Sequence, residues 1–193
     1  MNSKNEIRRD ALRRRNELPL EQREAASLAV CQRIMEDNRF LDARGVHVYM
    51  PIGSEVDVRP LIDVAWELGK GVGMMLVHED GGTLQCRIVP ETEFGPGPMG
   101  IPQPMNAEPF NMDLCDLVIV PVVAADEECN RLGYGKGYYD QFLTHFPRPS
   151  IGAAYEAQVV DQIPADDLDI RLDNVYTESR VIGESDSIGD SEL

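Results

Sequence analysis

The pattern of hydrophobic positions changes after the first forty residues. Before that point, residues 3–16 and 20–37 are predicted to be helices. In the second of these, Leu28, Cys31 and Met35 recur at a spacing that places side chains on one helix face. After that point, apolar residues occur in short unbroken runs separated by Pro, Gly and polar positions, which is typical of buried strands.

These runs indicate the fold class. The predicted strands cover residues 46–50, 71–77, 84–89, 116–121 and 151–154, and the helices between them cover residues 57–68 and 136–145. Residues 95–104 are so rich in Pro and Gly that we predict a loop without regular structure. Continuous apolar strands alternating with helices favour an α/β fold with a mainly parallel sheet. Because ligands bind beyond the carboxyl ends of such strands, the segment after Pro121 is a candidate site.

Length and composition favour a single domain. The chain has 193 residues, of which 42% are hydrophobic, enough for one full core. We expect the domain to span residues 1–183 and residues 184–193 to form an acidic, flexible tail. No apolar run approaches the roughly 20 residues that a membrane helix needs, and no secretory signal follows the charged N-terminus. We therefore expect a cytoplasmic protein without a membrane partner.

The cysteines agree with that compartment. The four cysteines contain no pair at CxxC spacing, which argues against a zinc site. In a chain without a secretory signal they predict free thiols in a reducing cytoplasm.

Charge narrows the range of partners. The formal net charge of -16 argues against nucleic-acid binding, which draws on a basic surface. Residues 1–15 are nevertheless basic, with six Lys and Arg against two acids. A basic arm on an acidic protein indicates either a local anion site or a solvated helix face, and charge alone leaves both open.

The chemistry is concentrated in residues 126–140. Three glycines alternate with other residues at Gly133, Gly135 and Gly137. Their backbone N–H groups can converge on phosphate oxygens, and a helix beginning nearby adds partial positive charge. The order of residues fits neither the P-loop pattern nor GxGxxG. Glycines at this spacing also suit an ordinary turn with aromatic packing.

The residues around the glycines favour the phosphate interpretation. Arg131 and Lys136 supply full positive charges for a polyphosphate. Asp140 supplies a hard oxygen ligand suited to Mg²⁺. The sequence therefore predicts a nucleotide site after the strand at residues 116–121.

The segment Arg131–Asp140, RLGYGKGYYD, resembles the signature of 5-formyltetrahydrofolate cyclo-ligases, also called 5,10-methenyltetrahydrofolate synthetases. The resemblance continues in the same order in other segments and covers residues 4 to about 178. These segments are residues 4–8, 54–57, 100–104 and 151–164.

The resemblance implies a fold and a reaction. The fold would be a three-layer α/β/α arrangement like that of NagB, RpiA and CoA transferases. The reaction would convert 5-formyltetrahydrofolate to 5,10-methenyltetrahydrofolate with ATP as co-substrate and Mg²⁺ as cofactor, through phosphorylation of the formyl oxygen and ring closure. The partners would be these small molecules alone, and the protein would be a monomer.

The resemblance also implies roles for individual residues. Arg131 and Lys136 would be catalytic, and Asp140 and Asp169 would hold Mg²⁺. The residues that would bind ATP are Lys4, Arg8, Arg131, Leu132, Gly133, Tyr134, Gly135, Lys136, Gly137, Tyr138 and Tyr139. The residues that would bind the folate are Arg8, Met50, Glu55, Tyr134, Gly135, Lys136, Gly137 and Tyr138. Because Asp166, Asp167 and Asp173 crowd the region of Asp169, a solvated acidic turn is the alternative there.

The chain departs from the family pattern at four positions. Ala125 stands where Phe is usual, so we expect a thinner wall, and Cys129 stands where Gly is usual, so we expect a strained or rearranged turn. Gln141 replaces a frequent Arg, and Met99 replaces an aromatic residue near the folate. These departures bear on substrate affinity more than on ATP binding.

Two alternatives therefore remain beside the cyclo-ligase. One is a related ATP-dependent enzyme acting on another formyl or amide substrate. The other is a non-catalytic protein that binds a nucleotide or a folate.

Overall fold

The computed structural model describes residues 3–183, apart from the side chain of Met99. The expected tail at residues 184–193 lies outside the described residues. The helices are α1 Lys4–Glu17, α2 Leu20–Met35, α3 Asn38–Asp42, α4 Arg59–Glu67 and α5 Tyr138–His145. The strands are β1 Gly45–Val48, β2 Gly71–Val77, β3 Thr83–Ile88, β4 Phe94–Pro96, β5 Pro102–Pro104, β6 Glu108–Pro109, β7 Leu117–Pro121, β8 Ala124–Ala125, β9 Arg131–Leu132, β10 Ser150–Ala153, β11 Asn174–Tyr176 and β12 Val181–Gly183.

Eight strands form the central sheet in the order β12-β11-β10-β7-β1-β2-β3-β6. The five strands from β11 to β2 pair in parallel, and β12, β3 and β6 join antiparallel at the two edges. The predicted α/β class with a mainly parallel sheet is confirmed. From β1 the chain proceeds to β2 on one side, whereas β7 leads to β10 on the other. The crevice between β1 and β7 is thus the point of such a sheet where ligands bind.

Helices cover both faces of the sheet because the central strands are apolar on both sides. In β7, Leu117 and Ile119 pack into the core that contains α2 and α4. Val118 and Val120 point the other way, into the core that contains Phe142 of α5. Side chains alternate between the faces of a strand, so one apolar run supplies both layers. The predicted three-layer arrangement is confirmed.

The first helix packs beside the crevice. Ser3 caps α1, since its hydroxyl accepts from the Glu6 N–H and the Glu6 carboxylate accepts from the Ser3 N–H. Ile7 and Ala11 are buried in a third, smaller core with Leu132 of β9. The helix is therefore held against the strand from which the glycine-rich segment continues.

The prediction of an irregular loop at residues 95–104 was wrong. β4 and β5 pair antiparallel there around one 3₁₀ turn at residues 98–100. Prolines at both ends of β5 do not prevent pairing because a two-stranded ribbon has free outer edges, where a missing N–H costs little.

Helix boundaries shifted for local reasons. The helix predicted at 136–145 begins at Tyr138, because Gly137 caps it with a φ of 71° in the left-handed region. The helix predicted at 57–68 spans Arg59–Glu67, with Pro60 in its first turn, where proline is tolerated. The second predicted helix ends at Met35, and Asp37 caps the separate short helix α3. Within residues 3–183, no helix has the length and apolar character needed to cross a membrane.

Candidate active site

A cavity of about 610 Å³ opens at the carboxyl ends of β1 and β7. Side chains from α1, from the segments after β1 and β7, and from the start of α5 line it. Every site residue predicted from the sequence lies on its wall, namely Lys4, Arg8, Met50, Glu55, Arg131, Leu132, Gly133, Tyr134, Gly135, Lys136, Gly137, Tyr138, Tyr139, Asp140 and Asp169. The structure thus brings these residues together, while their individual roles stay predictions.

Residues 133–137, the glycine loop, form one side of the cavity. Gly135 and Gly137 have φ values of 89° and 71°, which favour glycine over residues with a Cβ. Because Gly137 has no side chain, no side-chain acceptor caps the first N–H groups of α5. Uncapped N–H groups and the helix dipole favour an anion at this end of α5.

One face of α1 carries three cations to the cavity region. Lys4, Arg8 and Arg15 are separated by four and seven residues, so they lie on the same helix face. Arg8 Nε donates to the Gly133 carbonyl oxygen at 2.7 Å. Arg15 is almost fully buried behind the wall and was missed in the sequence analysis. The spacing of the basic residues along α1 was the signal that could have found it.

Two of the predicted phosphate-binding cations are paired with the two predicted metal ligands. Lys4 Nζ lies 2.5 Å from Asp169 Oδ2 and 2.6 Å from Asp166 Oδ2. Arg131 Nη2 lies 2.9 Å from Asp140 Oδ1. The charges expected to bind Mg²⁺ and the nucleotide thus neutralise one another in pairs.

These pairs shift ionisation in the expected directions. Partial burial alone would lower the pKa of Lys4, but its bonds to Asp166 and Asp169 outweigh that effect and raise the pKa. Burial alone would raise the pKa of Asp169, but the bonds from Lys4 Nζ and the Asp166 N–H lower it. Both groups are therefore charged at neutral pH.

The two carboxylates fit a magnesium ion that is held largely by water and substrate. Asp140 Oδ1 also accepts from the Ile170 N–H at 3.3 Å, which places it beside the segment carrying Asp169. Within the described part of the chain, no three His, Cys, Asp or Glu side chains are grouped so as to hold a metal ion alone. Mg²⁺ commonly binds one or two carboxylates and completes its shell with water and phosphate oxygens, so the donor set suits it.

Lys136 differs from the other predicted cations. It is exposed at the cavity wall, and no hydrogen bond or ion pair joins it to another residue within 3–183. Its ammonium group can therefore reach an incoming anion without first leaving a partner. A free ammonium group suits contact with a phosphoryl group throughout its transfer.

Glu55 and Met50 also line the cavity. Glu55 Oε2 accepts from the Ile52 N–H at 2.9 Å, which holds the carboxylate at the turn after β1. Burial raises the pKa of Glu55 above its usual range, while the Ile52 N–H and the nearby Arg15 oppose the shift. A partly buried carboxylate of this kind can accept hydrogen bonds from a ring N–H of a ligand.

Most of the apolar wall was not predicted from the sequence. Met74 and Met75 of β2 are buried, yet they also line the cavity. The other apolar wall residues missed were Tyr49, Ile52, Val77, Ile101, Pro121 and Val123. They come from strand ends that look like ordinary core in the sequence, so only the sheet order could place them.

The departures from the family pattern fall mostly outside the cavity wall. Ala125 is fully buried in the core beside α5 and does not line the cavity, so the expected thinner wall is not found there. Cys129 is buried with a φ of 62°, as the expectation of a strained turn requires. Gln141 is exposed on α5. The Met99 side chain lies outside the described part of the structure.

The fold and the cavity define the class of protein. It is an α/β protein with a cavity at the carboxyl edge of a mainly parallel sheet, lined by a cationic glycine loop and by apolar side chains. The model of the 5-formyltetrahydrofolate cyclo-ligase family matches residues 1–178, and the chain belongs to that family. The predicted enzyme class, a ligase of folate one-carbon metabolism, is thereby confirmed.

Individual relatives agree. The chain is 31% identical over 175 residues to the 5-formyltetrahydrofolate cyclo-ligase of Escherichia coli K12, covering 87% of this chain and 96% of the relative. It is 32% identical over 172 residues to a probable 5-formyltetrahydrofolate cyclo-ligase of Caenorhabditis elegans, covering 80% and 82%. The structure resembles that of 5,10-methenyltetrahydrofolate synthetase from Aquifex aeolicus, with a TM-score of 0.82, 32% identity and coverage of 98% and 99%.

Proposed function

We propose that this chain converts 5-formyltetrahydrofolate to 5,10-methenyltetrahydrofolate with consumption of ATP and release of ADP and phosphate. The observation that carries the proposal is that the cationic glycine loop and Glu55 line one cavity together with a set of apolar side chains. A nucleotide bound at the glycine loop and a folate bound beside Glu55 would meet inside it.

The chemistry has two steps. The formyl oxygen attacks the γ-phosphorus of ATP, so that an O–P bond forms and the bond to ADP breaks. The neighbouring folate nitrogen, which carries no formyl group, then attacks the activated formyl carbon. It loses its proton, and phosphate is expelled as the ring closes. Because a formyl amide is a poor electrophile, the first step supplies the leaving group that the second requires. The protein contributes mainly positioning and charge stabilisation.

On the nucleotide side, the N–H groups of the glycine loop and of the first turn of α5 would bind phosphate oxygens. Arg131 and Lys136 would bind the transferring phosphoryl group, and Lys4 and Arg8 the remaining phosphates. Asp140 and Asp169 would hold Mg²⁺, which when bound neutralises phosphate charge and orients the polyphosphate. Arg131 and Lys4 would exchange their present carboxylate partners for phosphate.

On the folate side, Glu55 would accept hydrogen bonds from the pterin ring, and Met50 would pack beside it. The apolar lining from β1 and β2 would cover the ring and exclude water from the phosphorylated intermediate. Hydrolysis of that intermediate would waste ATP, so exclusion of water matters as much as orientation.

An absorbance assay tests the proposal. The protein is mixed with 5-formyltetrahydrofolate, Mg²⁺ and ATP, and formation of the methenyl product is followed in the near ultraviolet, with an ATP-free control. Lys136→Ala should lose most of its kcat and keep its fold, whereas Arg87→Ala, which removes an exposed cation outside the cavity wall, should not change kcat. A flat trace for a protein that binds ATP would instead indicate another substrate or a non-catalytic binder.

We also propose that the protein acts in the cytoplasm as a monomer with small molecules as its partners. The four cysteines are free and buried, which supports a reducing compartment. Light scattering of the purified protein would test the monomeric state.

A further inference from the structure

A buried arginine connects the glycine loop to the turn that carries Glu55. Arg15 is 3% exposed. Its Nε donates to Ser54 Oγ at 2.9 Å, and its Nη2 donates to the Tyr134 hydroxyl at 2.8 Å. Ser54 precedes Glu55 on the folate side, whereas Tyr134 belongs to the glycine loop. One side chain therefore touches both binding surfaces without lining the cavity itself.

Helix packing alone does not account for a charge at this position. The same face of α1 packs through Ile7 and Ala11, which are apolar, and burial of a guanidinium costs several kcal/mol unless it is paired. Arg15 Nη1 is buried and has no hydrogen-bond partner. A buried polar group left unsatisfied calls for an explanation.

The position of Tyr134 depends on this contact. The ring of Tyr134 is 45% exposed, so little packing holds it. The Arg15 guanidinium lies 5.9 Å from the ring centroid and also binds the hydroxyl. Burial and the nearby Glu55 carboxylate raise the pKa of Tyr134, so the hydroxyl and the carboxylate lie beside each other. The three side chains form one connected set between glycine loop and folate wall.

Arg15 also holds the turn that carries Glu55, because its Nε donates to Ser54 in that turn. The Ser54 hydroxyl, which accepts from Arg15, donates to Asn16 Oδ1 at 2.5 Å. Glu55 Oε2 in turn accepts from the Ile52 N–H within the same turn. A change in the position of Arg15 would thus move the carboxylate that faces the folate.

We infer that Arg15 is a positioning residue that couples the two ligand sites through Tyr134 and Ser54. A nucleotide that orders the glycine loop also orders Tyr134, and Arg15 transmits that order to the turn carrying Glu55. The second ligand then meets a wall that is already ordered and binds more tightly, and the coupling is reciprocal. This inference rests on the proposed function, because it takes a nucleotide and a folate as the two ligands.

The test measures binding rather than turnover. The Kd of 5-formyltetrahydrofolate is determined by calorimetry with and without a non-hydrolysable ATP analogue and Mg²⁺. In the parent protein the analogue should tighten folate binding by at least about fivefold. Tyr134→Phe and Arg15→Met should each lose most of that factor, and the double variant should lose no more than either single variant.

A matched control lies on the same helix. Arg13 is exposed and pairs with Asp10 and Glu17 at 2.8 Å, so Arg13→Met makes the same chemical change away from the cavity. This variant should keep the full coupling factor. If Arg15→Met does not fold, Tyr134→Phe still decides the question, because it removes only a hydroxyl from a half-exposed ring.

The outcomes separate the inference from the proposed function. Coupling that survives in Tyr134→Phe, or losses that add in the double variant, would overturn the inference. Turnover in the absorbance assay without coupling in the parent would overturn it as well and leave the function standing. No turnover combined with coupling that Tyr134→Phe abolishes would leave the inference standing and reject the reaction.

Discussion

His47 in β1 is a fully buried imidazole that plays no part in the proposed chemistry. Its Nε2 lies 2.8 Å from Gln85 Oε1, and its ring packs against Phe142 at a centroid distance of 4.5 Å. Burial lowers the pKa of His47 to about 4, although the bond to Gln85 opposes the shift. The folded protein therefore holds this ring neutral where an unfolded chain would protonate it.

Because of His47, the free energy of unfolding should decrease in mild acid. Between the unfolded pKa of about 6.5 and the folded pKa of about 4, the unfolded state binds a proton that the folded state excludes. The free energy of unfolding should drop by up to about 3 kcal/mol across that range. Urea unfolding at pH 7.5 and pH 5 should show a smaller drop for His47→Gln than for the parent. The exposed His78→Gln should behave as the parent does; equal drops in all three proteins would refute the assignment.

Cys129 has a left-handed backbone conformation. Its φ is 62°, and the Asp126 carboxylate holds the turn by accepting from the N–H groups of Glu128 and Asn130. A residue with a Cβ pays roughly 1 to 2 kcal/mol for this conformation. Glycine, which has no Cβ, would adopt this conformation without that cost.

The backbone conformation predicts an unusual order of stability. Cys129→Gly should be more stable than Cys129→Ala by about 1 kcal/mol, because both lose the sulfur but only Gly relieves the strain. At Cys115, which is also buried but has a φ of -80°, Ala should be more stable than Gly. Chemical denaturation of the four variants gives the comparison. The same order at both positions would contradict the strain at Cys129.

Asp140 is the site residue whose role is most directly testable. Asp140→Asn removes the charge that would bind the metal, so the Mg²⁺ concentration for half-maximal activity should rise several-fold. Asp63→Asn on α4, outside the cavity wall, serves as control. Identical metal titrations for Asp140→Asn and the parent would reject the metal assignment.

Among the elements, α5 depends on the conformation of one glycine. Gly137 caps the helix with positive φ, and a Cβ there would meet no atom within 4 Å. Substitution therefore strains only the backbone, at a cost of roughly 1 to 2 kcal/mol. Gly69, after α4, has a φ of 72° and equally open surroundings.

The two glycines predict a separation of stability from binding. Gly137→Ala and Gly69→Ala should lower the free energy of unfolding by similar amounts. Only Gly137→Ala should also raise the KM for ATP, because it displaces the N–H groups at the start of α5. Steady-state kinetics together with thermal unfolding make the comparison. An unchanged KM in Gly137→Ala would argue against phosphate binding by this loop.

Among the elements, the central strands of the sheet could be predicted from the sequence, whereas the short edge strands could not. The apolar runs of β1, β2 and β7 identify buried strands, since few other structures bury every side chain. β11, β12 and the pair β4–β5 have three residues each, and their pairing depends on tertiary neighbours. The sequence also located the glycine loop, through a motif of ten consecutive residues. Arg15 lacks such a motif. Its spacing from Lys4 and Arg8 could have placed it on their helix face, but only its contacts show what it bonds to.

At the scale of the whole molecule, the cavity is formed by segments that lie far apart in the sequence. Its wall combines α1, the carboxyl ends of β1 and β7, and the segment around Asp169. Composition and charge predicted one acidic domain, but they could not predict that its cations gather at one cavity. That gathering depends on the sheet order, which sequence patterns do not determine.

A ligand that joins these parts should stabilise the entire domain. A nucleotide analogue with Mg²⁺ at one hundred times its Kd should add about 2.7 kcal/mol, which raises the midpoint of thermal unfolding by roughly 5 to 10 °C. Differential scanning fluorimetry measures the shift. Lys136→Ala should show a clearly smaller shift at the same analogue concentration, and a shift as large as that of the parent would argue against the role of this lysine.

The contact between Lys4 and Asp169 has a consequence for synthesis on the ribosome. The two residues are 165 positions apart, and Arg8 and Gly133 are 125 apart. At about 5 to 20 residues per second, the acidic partners of Lys4 emerge roughly 8 to 33 s after the lysine itself. During that interval the basic first helix has neither its carboxylates nor the glycine loop as neighbours. A nascent chain therefore cannot assemble the proposed nucleotide site until nearly all of it has been translated.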